Sequence, residues 1–225
     1  TETGEPMLLV DSSRLTLERT AATTAVAVKY LSKKEAKKLA VIGSGAQALA
    51  HIRYVSGLRN WESIKVWSLN SSELTAEKQE EFKRAGNGVL EFAPTKEIAL
   101  EEADVILLCT SAASAVIKAC DIKGSPLITS ISTNAPGAHE IDPAMLANME
   151  VYCDCTATTA TVAGEMKLAA QSGCWNPEMV KGDLGALVNG SCPVPTGDKP
   201  VFFRSIGQGL EDVAVALAVM KEFQK

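Results

Sequence analysis

Residues 39–48 read Leu-Ala-Val-Ile-Gly-Ser-Gly-Ala-Gln-Ala, an apolar strand that runs through two glycines into a helix-forming stretch. In this order Gly43 makes the tight turn out of the strand, Gly45 lets backbone approach a pyrophosphate, and Ala48 lets helix pack on strand. The free amides of the helix start then face the phosphates. Glycines also serve ordinary strand-to-helix turns, but this flanking strand and helix favour a dinucleotide site. The predicted contacts in this stretch are Gly43, Gly45, Ala46 and Gln47.

Short apolar runs alternate with helical patterns along the chain. Runs that are apolar throughout, such as residues 105–109, indicate strands buried on both faces. The sequence therefore predicts an α/β fold, a doubly wound parallel sheet of the Rossmann type with helices on each side. The strand candidates are 39–42, 64–68, 89–92, 104–109, 127–131 and 151–154, and the early helix candidates are 46–58, 72–85 and 96–102.

Composition excludes several classes of partner. The chain has 225 residues, of which 46% are hydrophobic and 22% charged, and its net charge is −5 without a basic block. Nucleic acid is therefore not an expected partner. No apolar run reaches about 18 residues and no leader pattern precedes the fold, so we expect no membrane association and a cytoplasmic protein.

The cysteines do not form a metal-binding pattern. The six cysteines include no Cys-x-x-Cys pair, and the two histidines, His51 and His139, are far apart in the sequence. Cys109 and Cys153 end apolar runs, where a reduced thiol acts as a small core residue. We expect no metal and no disulfide.

The loop after the second strand bears on the choice of coenzyme. In parallel sheets ligands lie beyond the carboxyl ends of the strands, and NAD-preferring folds usually carry an acidic residue after the second one. Here no carboxylate is present, which favours NADP slightly over NAD, although no arginine is present either. The candidate contacts are Ser68, Asn70 and Ser71. Asn70 and Ser71 are also typical turn residues, and Ser72 is a candidate cap of the next helix.

Two later loops complete the predicted site. The loop after Cys109 is small and hydroxyl-bearing, as a backbone beside a nucleotide needs, although an ordinary helix cap looks similar. The loop after Ile131 places Asn134 where a nicotinamide ring should lie, and the alternative is an Asx-turn residue without further role. The candidate contacts in these loops are Thr110, Ser111, Ala112 and Ser132.

A helix over residues 15–31 places Arg19 in one row with Leu15, Ala22 and Val26. A guanidinium on an apolar stripe is costly unless it has an anionic partner. Either Asp11 or Glu18 holds Arg19 in a structural pair, or Arg19 is free to bind a carboxylate ligand in bidentate geometry.

These residues together resemble the ornithine cyclodeaminase/μ-crystallin family over essentially the whole chain. The resemblance rests on several motifs in family order: Arg19-Thr-Ala-Ala, residues 43–48, Ala103-Asp-Val, Thr133-Asn-Ala-Pro-Gly with Glu140-Ile-Asp, Ser205-Ile-Gly, and Glu211-Asp-Val-Ala. Members bind NAD(H) or NADP(H) and act on small amino or imino acids, and others are hormone-binding or lens proteins. A homodimer is implied.

The resemblance implies roles for several residues. Arg19 would bind the substrate carboxylate. Asn134 stands where cyclodeaminases carry an aspartate, and an amide orients a substrate but cannot take up a proton near neutral pH. We therefore expect the reduction of a small cyclic imino acid with Arg19 and Asn134 at the reacting end, His139 as a candidate proton donor, and Glu165 as a candidate for orienting the ring.

Other functions stay open, namely ornithine cyclodeaminase, alanine dehydrogenase, and a non-catalytic protein that binds NADPH. The chain is expected to begin inside the family pattern, without an N-terminal segment that supplies an active-site lysine and arginine. Residues 1–36 and 173–225 would be parts of a substrate and dimerisation domain, on which residues 201–205 and a helix over 211–223 would pack. Residues 37–172 would form the dinucleotide-binding domain.

Overall fold

An eight-stranded parallel sheet runs through the residues that the computed structural model describes, which are 4–131, 135 and 137–223. The strands are β1 (Lys38–Ile42), β2 (Ser63–Trp67), β3 (Leu90–Phe92), β4 (Val105–Leu108), β5 (Leu127–Ser130), β6 (Glu150–Cys153), β7 (Val180–Asp183) and β8 (Val201–Arg204). Their order across the sheet is β3-β2-β1-β4-β5-β8-β6-β7. The chain thus builds outward from β1 to β3 and returns to β4 on the other side of β1, which opens a crevice between the carboxyl ends of β1 and β4.

Helices cover both faces of the sheet and create two cores. They are α1 (Ser12–Leu31), α2 (Ala46–Val55), α3 (Ala76–Ala85), α4 (Lys96–Leu100), α5 (Thr159–Val162), α6 (Gly164–Gln171), α7 (Leu184–Asn189) and α8 (Gly209–Phe223). Alternate residues of β1 enter different cores: Leu39 and Val41 pack under α1, α2, α3 and α7, whereas Ala40 and Ile42 pack under α4, α5 and α6. This arrangement confirms the predicted doubly wound fold and explains why a central strand such as β4 is apolar throughout.

The predicted elements in the first half of the chain lie within a few residues of the observed ones. One helix start was wrong: Thr75, not Ser72, caps α3, since its hydroxyl accepts a hydrogen bond from the amide of Lys78. Cys109 and Cys153 are buried core residues, as predicted. No helix among the described residues is long and apolar enough to cross a membrane.

The C-terminal part of the chain was only partly predicted. Residues 201–205 were expected to pack on a substrate and dimerisation domain, and in the structure residues 201–204 form β8, which is buried within the sheet between β5 and β6. The helix α8 begins at Gly209 and contains no buried residue. Because β7 and β8 belong to the same sheet as β1, the boundary near residue 173 stays a prediction.

Helix α1 packs on α2 through a different face from the one predicted. Thr20, Thr24, Ala27 and Val28 are buried, whereas the predicted row of Leu15, Ala22 and Val26 is only half-buried. The buried face is made of small and hydroxyl-bearing side chains, so the apolar pattern did not reveal it.

A buried histidine joins these two helices. The Nδ1 atom of His51 lies 2.7 Å from the carbonyl oxygen of Gln47, which can only accept, so Nδ1 carries the proton. Its Nε2 atom lies 2.9 Å from Oγ1 of Thr24, whose hydroxyl therefore donates. Burial lowers the pKa of His51 to about 4, so the folded protein holds this histidine neutral.

Because His51 is buried and neutral, we expect the free energy of unfolding to decrease in acid. In the unfolded chain His51 takes up a proton below its ordinary pKa of 6.5, whereas in the folded state it does so only near 4. The unfolded state therefore binds more protons between these values, and stability falls as the pH decreases from about 6.5, by up to ~3 kcal/mol near pH 4. Urea unfolding of the wild type and of His51→Gln between pH 4.5 and 7.5 measures this. The wild type should lose more stability over the acidic range, and equal slopes would contradict the assignment.

Candidate functional site

A cavity of about 970 Å³ lies at the carboxyl ends of β1, β2, β3 and β4. It covers the crevice at which the sheet order reverses, where open α/β sheets bind their ligands. Most of the predicted dinucleotide contacts lie together on its wall. They are Gly43, Gly45, Ala46, Gln47, Ser68, Asn70, Thr110, Ser111 and Ala112.

Two predicted dinucleotide contacts, Ser71 and Ser132, and the two predicted catalytic residues, Arg19 and Asn134, are not placed in this wall. Ser71 is a turn residue, since its amide and hydroxyl donate to the carbonyl oxygen of Ser68 at 3.2 and 3.0 Å. Ser132 and Asn134 lie outside the described residues. The sequence reasoning also missed lining residues, namely Ile42, Ser44, Trp67, Leu69, Pro94, Thr95, Lys96, Glu97, Cys109 and Val116. The loop after β3 could have been found by the rule applied to the other strand ends.

Gly43 is required by a positive φ and by a close neighbour. Its φ is +125°, and a Cβ atom there would overlap the carbonyl group of Cys109 at the end of β4. Its amide donates to the carbonyl oxygen of Trp67 at 2.8 Å. The turn after β1 is thus held tightly between its two neighbouring strands.

Gly45 leaves room for a ligand. It is the N-cap of α2, with an ordinary φ of −82° and no side chain to bond the first amides of the helix. A Cβ atom built on Gly45 meets nothing within 4 Å. The open space and the uncapped amides of a ten-residue helix fit an anionic group such as a pyrophosphate.

Gln47 is a second residue whose side chain suits a ligand-binding site. Its Oε1 atom is buried, and it has no hydrogen-bond partner. A buried acceptor without a donor is costly, so the side chain fits a ligand that brings hydroxyl or amide donors. Both observations fit a dinucleotide lying along the start of α2.

The wall near β2 is uncharged at the expected ribose position. Oγ of Ser44 lies 2.7 Å from Oγ of Ser68, so a hydroxyl pair joins the glycine loop to the end of β2. Hydroxyls bond either a ribose 2′-hydroxyl or a 2′-phosphate. The preference for NADP therefore stays a prediction.

On the opposite wall of the cavity, the loop after β4 is held by hydrogen bonds to Glu140, which is fully buried. Its Oε1 atom accepts from the amide and the hydroxyl of Thr110 at 2.8 and 2.6 Å, and its Oε2 atom accepts from the hydroxyl of Ser130 at 2.7 Å. Glu140 thus joins the carboxyl ends of β4 and β5. Burial and the charge of Glu140 together raise the pKa of the Cys109 thiol well above its usual value, so this lining residue is a neutral thiol.

A buried ion pair lies beneath the same edge. Oε1 of Glu165 is 2.8 Å from Nε of Arg204, and the two side chains are 0% and 1% exposed. Burial raises the pKa of Glu165, and Arg204 opposes the shift. Nη1 of Arg204 also donates to the carbonyl oxygen of Ser205 at 2.9 Å. The sequence suggested Glu165 as an orienting residue, and the structure places it in the interior against Arg204.

Arg19 has partners that the sequence did not suggest. Its Nε lies 3.1 Å from Oδ1 of Asp212, and its Nη1 lies 3.3 Å from Oε2 of Glu211, both on α8. Glu18 pairs with Arg14 instead. A Cβ atom at Gly207 would meet the guanidinium, which places Arg19 over the loop that follows β8. Arg19 thus lies at the carboxyl edge of the second half of the sheet.

The remaining candidate groups are His139 and the side chains that could bind a metal ion. Nδ1 of His139 donates to the carbonyl oxygen of Gly137 at 2.8 Å, on the segment before Glu140. Within residues 4–131, 135 and 137–223, no group of three or more His, Cys, Asp or Glu side chains could hold a metal ion.

Comparisons with known proteins point to one family. The sequence model described as the ornithine cyclodeaminase/mu-crystallin family matches residues 1–225. An NAD(P)H-dependent anabolic L-arginine dehydrogenase from Pseudomonas aeruginosa is 51% identical over 220 residues, which are 98% of this chain and 69% of that protein. A Delta(1)-pyrroline-2-carboxylate reductase from Bacillus cereus is 27% identical over 96% of this chain and 66% of its own length.

A solved structure agrees with these relatives. The iminosuccinate reductase of Paracoccus denitrificans, in complex with NAD+, matches with a TM-score of 0.83 and 29% identity. The match covers 95% of this chain and 65% of that one. The chain therefore spans about two thirds of the length of the proteins it resembles.

Proposed function

The chain belongs to the ornithine cyclodeaminase/mu-crystallin family, and from this premise we propose that it reduces the C=N bond of a small imino acid with NADH or NADPH. The observation that carries the proposal is the cavity at the start of α2, with open space at Gly45 and an unpaired acceptor at Gln47. The named activities of the relatives, which are reductases and a dehydrogenase of amino or imino acids, support it.

Each part of the coenzyme would contact a different group of residues. The amides after Gly45 would hold the pyrophosphate, and Ser68 and Asn70 would bond the adenosine ribose. Thr110 and its neighbours would border the nicotinamide half, because β4 lies on the other side of β1 from β2. When bound, the coenzyme supplies a hydride for the carbon of the C=N bond.

The substrate end of the site is built by two further residues in this proposal. The Arg19 guanidinium would bind the substrate carboxylate as a fork of two hydrogen bonds, for which its planar geometry is suited. To do so it would share or exchange its present partners, Glu211 and Asp212. Asn134 would orient the substrate nitrogen by hydrogen bonds, as the family resemblance implies.

Two substrate classes have separate support. A cyclic imino acid of the pyrroline-2-carboxylate type is the first, and the Bacillus cereus relative supports it. The second is the open-chain imine of arginine, which the relative with 51% identity supports. Both need a carboxylate partner and an oriented C=N group, and they differ in ring closure and in a distal guanidinium.

A substrate panel tests the proposal. The protein encoded by the full gene is assayed with NADH and NADPH against pyrroline-2-carboxylate, piperideine-2-carboxylate, pyruvate with ammonia, and the 2-oxo acid of arginine with ammonia. We expect loss of absorbance at the nicotinamide band with at least one of these. Ammonia release from ornithine with catalytic NAD would favour a cyclodeaminase instead, and coenzyme binding without any turnover would favour a binding protein.

Assembly and location belong to the same proposal. We propose a homodimer, in keeping with an archaeal relative of 25% identity whose structure is described as an alanine dehydrogenase dimer. We propose a cytoplasmic location, which agrees with six cysteines that are all unpaired in the structure.

A further inference from the structure

Glu140 is a buried charge whose described hydrogen bonds all come from neutral groups. The three donors are the amide of Thr110 and the hydroxyls of Thr110 and Ser130. Three donors lie within hydrogen-bond distance of its two oxygens, an arrangement that suits a carboxylate, which only accepts hydrogen bonds. The hydrogen bonds hold the charge in place but do not neutralise it.

The charged groups around Glu140 leave a negative balance. Nη1 of Arg204 donates to the carbonyl oxygen of Ser130 at 3.4 Å, which brings this buried guanidinium to the same edge, and its Nε is 2.8 Å from Oε1 of Glu165. Arg204 and Glu165 therefore form an ion pair with each other. His139 turns its Nδ1 to a carbonyl oxygen. Two buried carboxyl groups, those of Glu140 and Glu165, thus lie near one buried guanidinium.

Hydrogen bonds hold both the backbone and the side chain of Glu140. Its carbonyl oxygen accepts from the amides of Val116 and Ile117 at 2.8 and 3.1 Å, and its side chain joins the ends of β4 and β5. Thr110, one hydrogen bond away, lines the cavity. In the sheet order β2 lies on one side of β1 and β4 and β5 lie on the other, so with the adenosine half toward β2 the nicotinamide half would lie toward β4 and β5.

We propose that Glu140 is a positioning residue that fixes Thr110 beside the nicotinamide and whose buried charge raises the affinity for oxidised coenzyme relative to reduced coenzyme. The inference rests on the proposed function. Its physical basis is that the oxidised ring is a cation and the reduced ring is neutral, so a fixed anion behind the ring stabilises only the oxidised form. The same charge favours a protonated, cationic imine at the reacting position.

Glu140→Gln separates this charge from the contacts. The carboxamide oxygen can accept from both donors of Thr110, and its NH2 group can donate to the oxygen of Ser130, so the hydrogen-bonded frame is kept. Isothermal titration calorimetry gives the dissociation constants of NAD+ and NADH, or of the 2′-phosphorylated pair. If the carboxylate and the cationic ring were separated by about 10 Å, removing the charge should raise the ratio of the NAD+ constant to the NADH constant about tenfold.

A matched variant tests the contact without the charge. Thr110→Val removes one hydroxyl bond and keeps the carboxylate, so it should weaken both coenzyme forms to a similar extent and leave the ratio unchanged. An unchanged ratio in Glu140→Gln, or an equal weakening of both forms, would overturn the inference while leaving the proposed function intact.

The wild type provides a measurement that needs no variant. If Glu140→Gln fails to fold, the ratio of the NAD+ and NADH dissociation constants of the wild type tests the inference. We expect NAD+ to bind at least as tightly as NADH. A clear preference for NADH would overturn the inference. Absence of binding of both forms would instead contradict the proposed function itself.

Discussion

Gly45→Ala is expected to weaken the binding of NADH and NADPH about tenfold or more and to leave the fold unchanged. The added Cβ atom meets nothing in the protein within 4 Å, and the φ of −82° suits any residue. The methyl group would instead occupy the space beside the first amides of α2, where the pyrophosphate would lie. A loss of one well-placed contact to phosphate is worth ~1.4 kcal/mol or more, which is a factor of ten in the dissociation constant.

The control is another glycine with an open Cβ position. Gly57 lies in the turn after α2, at the far end of the same helix, and a Cβ atom there also meets nothing within 4 Å. Gly57→Ala should bind both coenzymes like the wild type. Thermal unfolding should show that the free energy of unfolding changes by no more than ~1 kcal/mol in either variant, since alanine is only moderately worse than glycine as an N-cap. Equal coenzyme affinity in the two variants would place the ligand elsewhere.

Arg19→Leu is expected to raise the KM for the imino acid roughly ten- to a hundredfold, because a hydrogen-bonded charge pair with a carboxylate is worth ~1.5–3 kcal/mol. The same change leaves Glu211 and Asp212 without their cation, so some loss of stability is also expected. Steady-state kinetics with the substrate identified by the panel measures KM and kcat separately.

Two variants separate substrate binding from structure. Arg19→Lys keeps a positive charge for Glu211 and Asp212 but loses the planar fork, so stability should largely return while KM stays high. Arg14→Leu, on the same helix, removes an exposed arginine that pairs with Glu18 at 2.6 Å, and it should leave KM as in the wild type. A normal KM in both Arg19 variants would make Arg19 a purely structural residue that ties α1 to α8.

The half of the fold that holds the cavity was predictable because its strands are short runs rich in apolar residues, each next to a clear helix pattern. Residues 105–108 illustrate this, since burial on both faces leaves no alternation to misread. The glycines at 43 and 45 then marked the edge at which a ligand would bind. The sequence predicted the tight turn at Gly43 but not the close approach of Cys109, because that is a contact between distant parts of the chain.

The second half was harder because its signals depend on tertiary contacts. The strand β8 is four residues long and ends in Arg204, which is buried and whose Nε lies 2.8 Å from Oε1 of Glu165. A charged residue at the end of a short apolar run looks exposed in a sequence. The partners of Arg19 were missed for a similar reason, since Glu211 and Asp212 follow it by more than 190 positions and meet it only when α8 returns to α1.

The central claim is that a dinucleotide lies along the start of α2, and amide hydrogen exchange with and without NADPH tests it most directly. We predict slower exchange on coenzyme binding at residues 43–47 and 110–112, which line the cavity, and unchanged exchange in the turn at Gly57. Binding of the coenzyme without protection of the amides after Gly45, or protection confined to another part of the sheet, would contradict it.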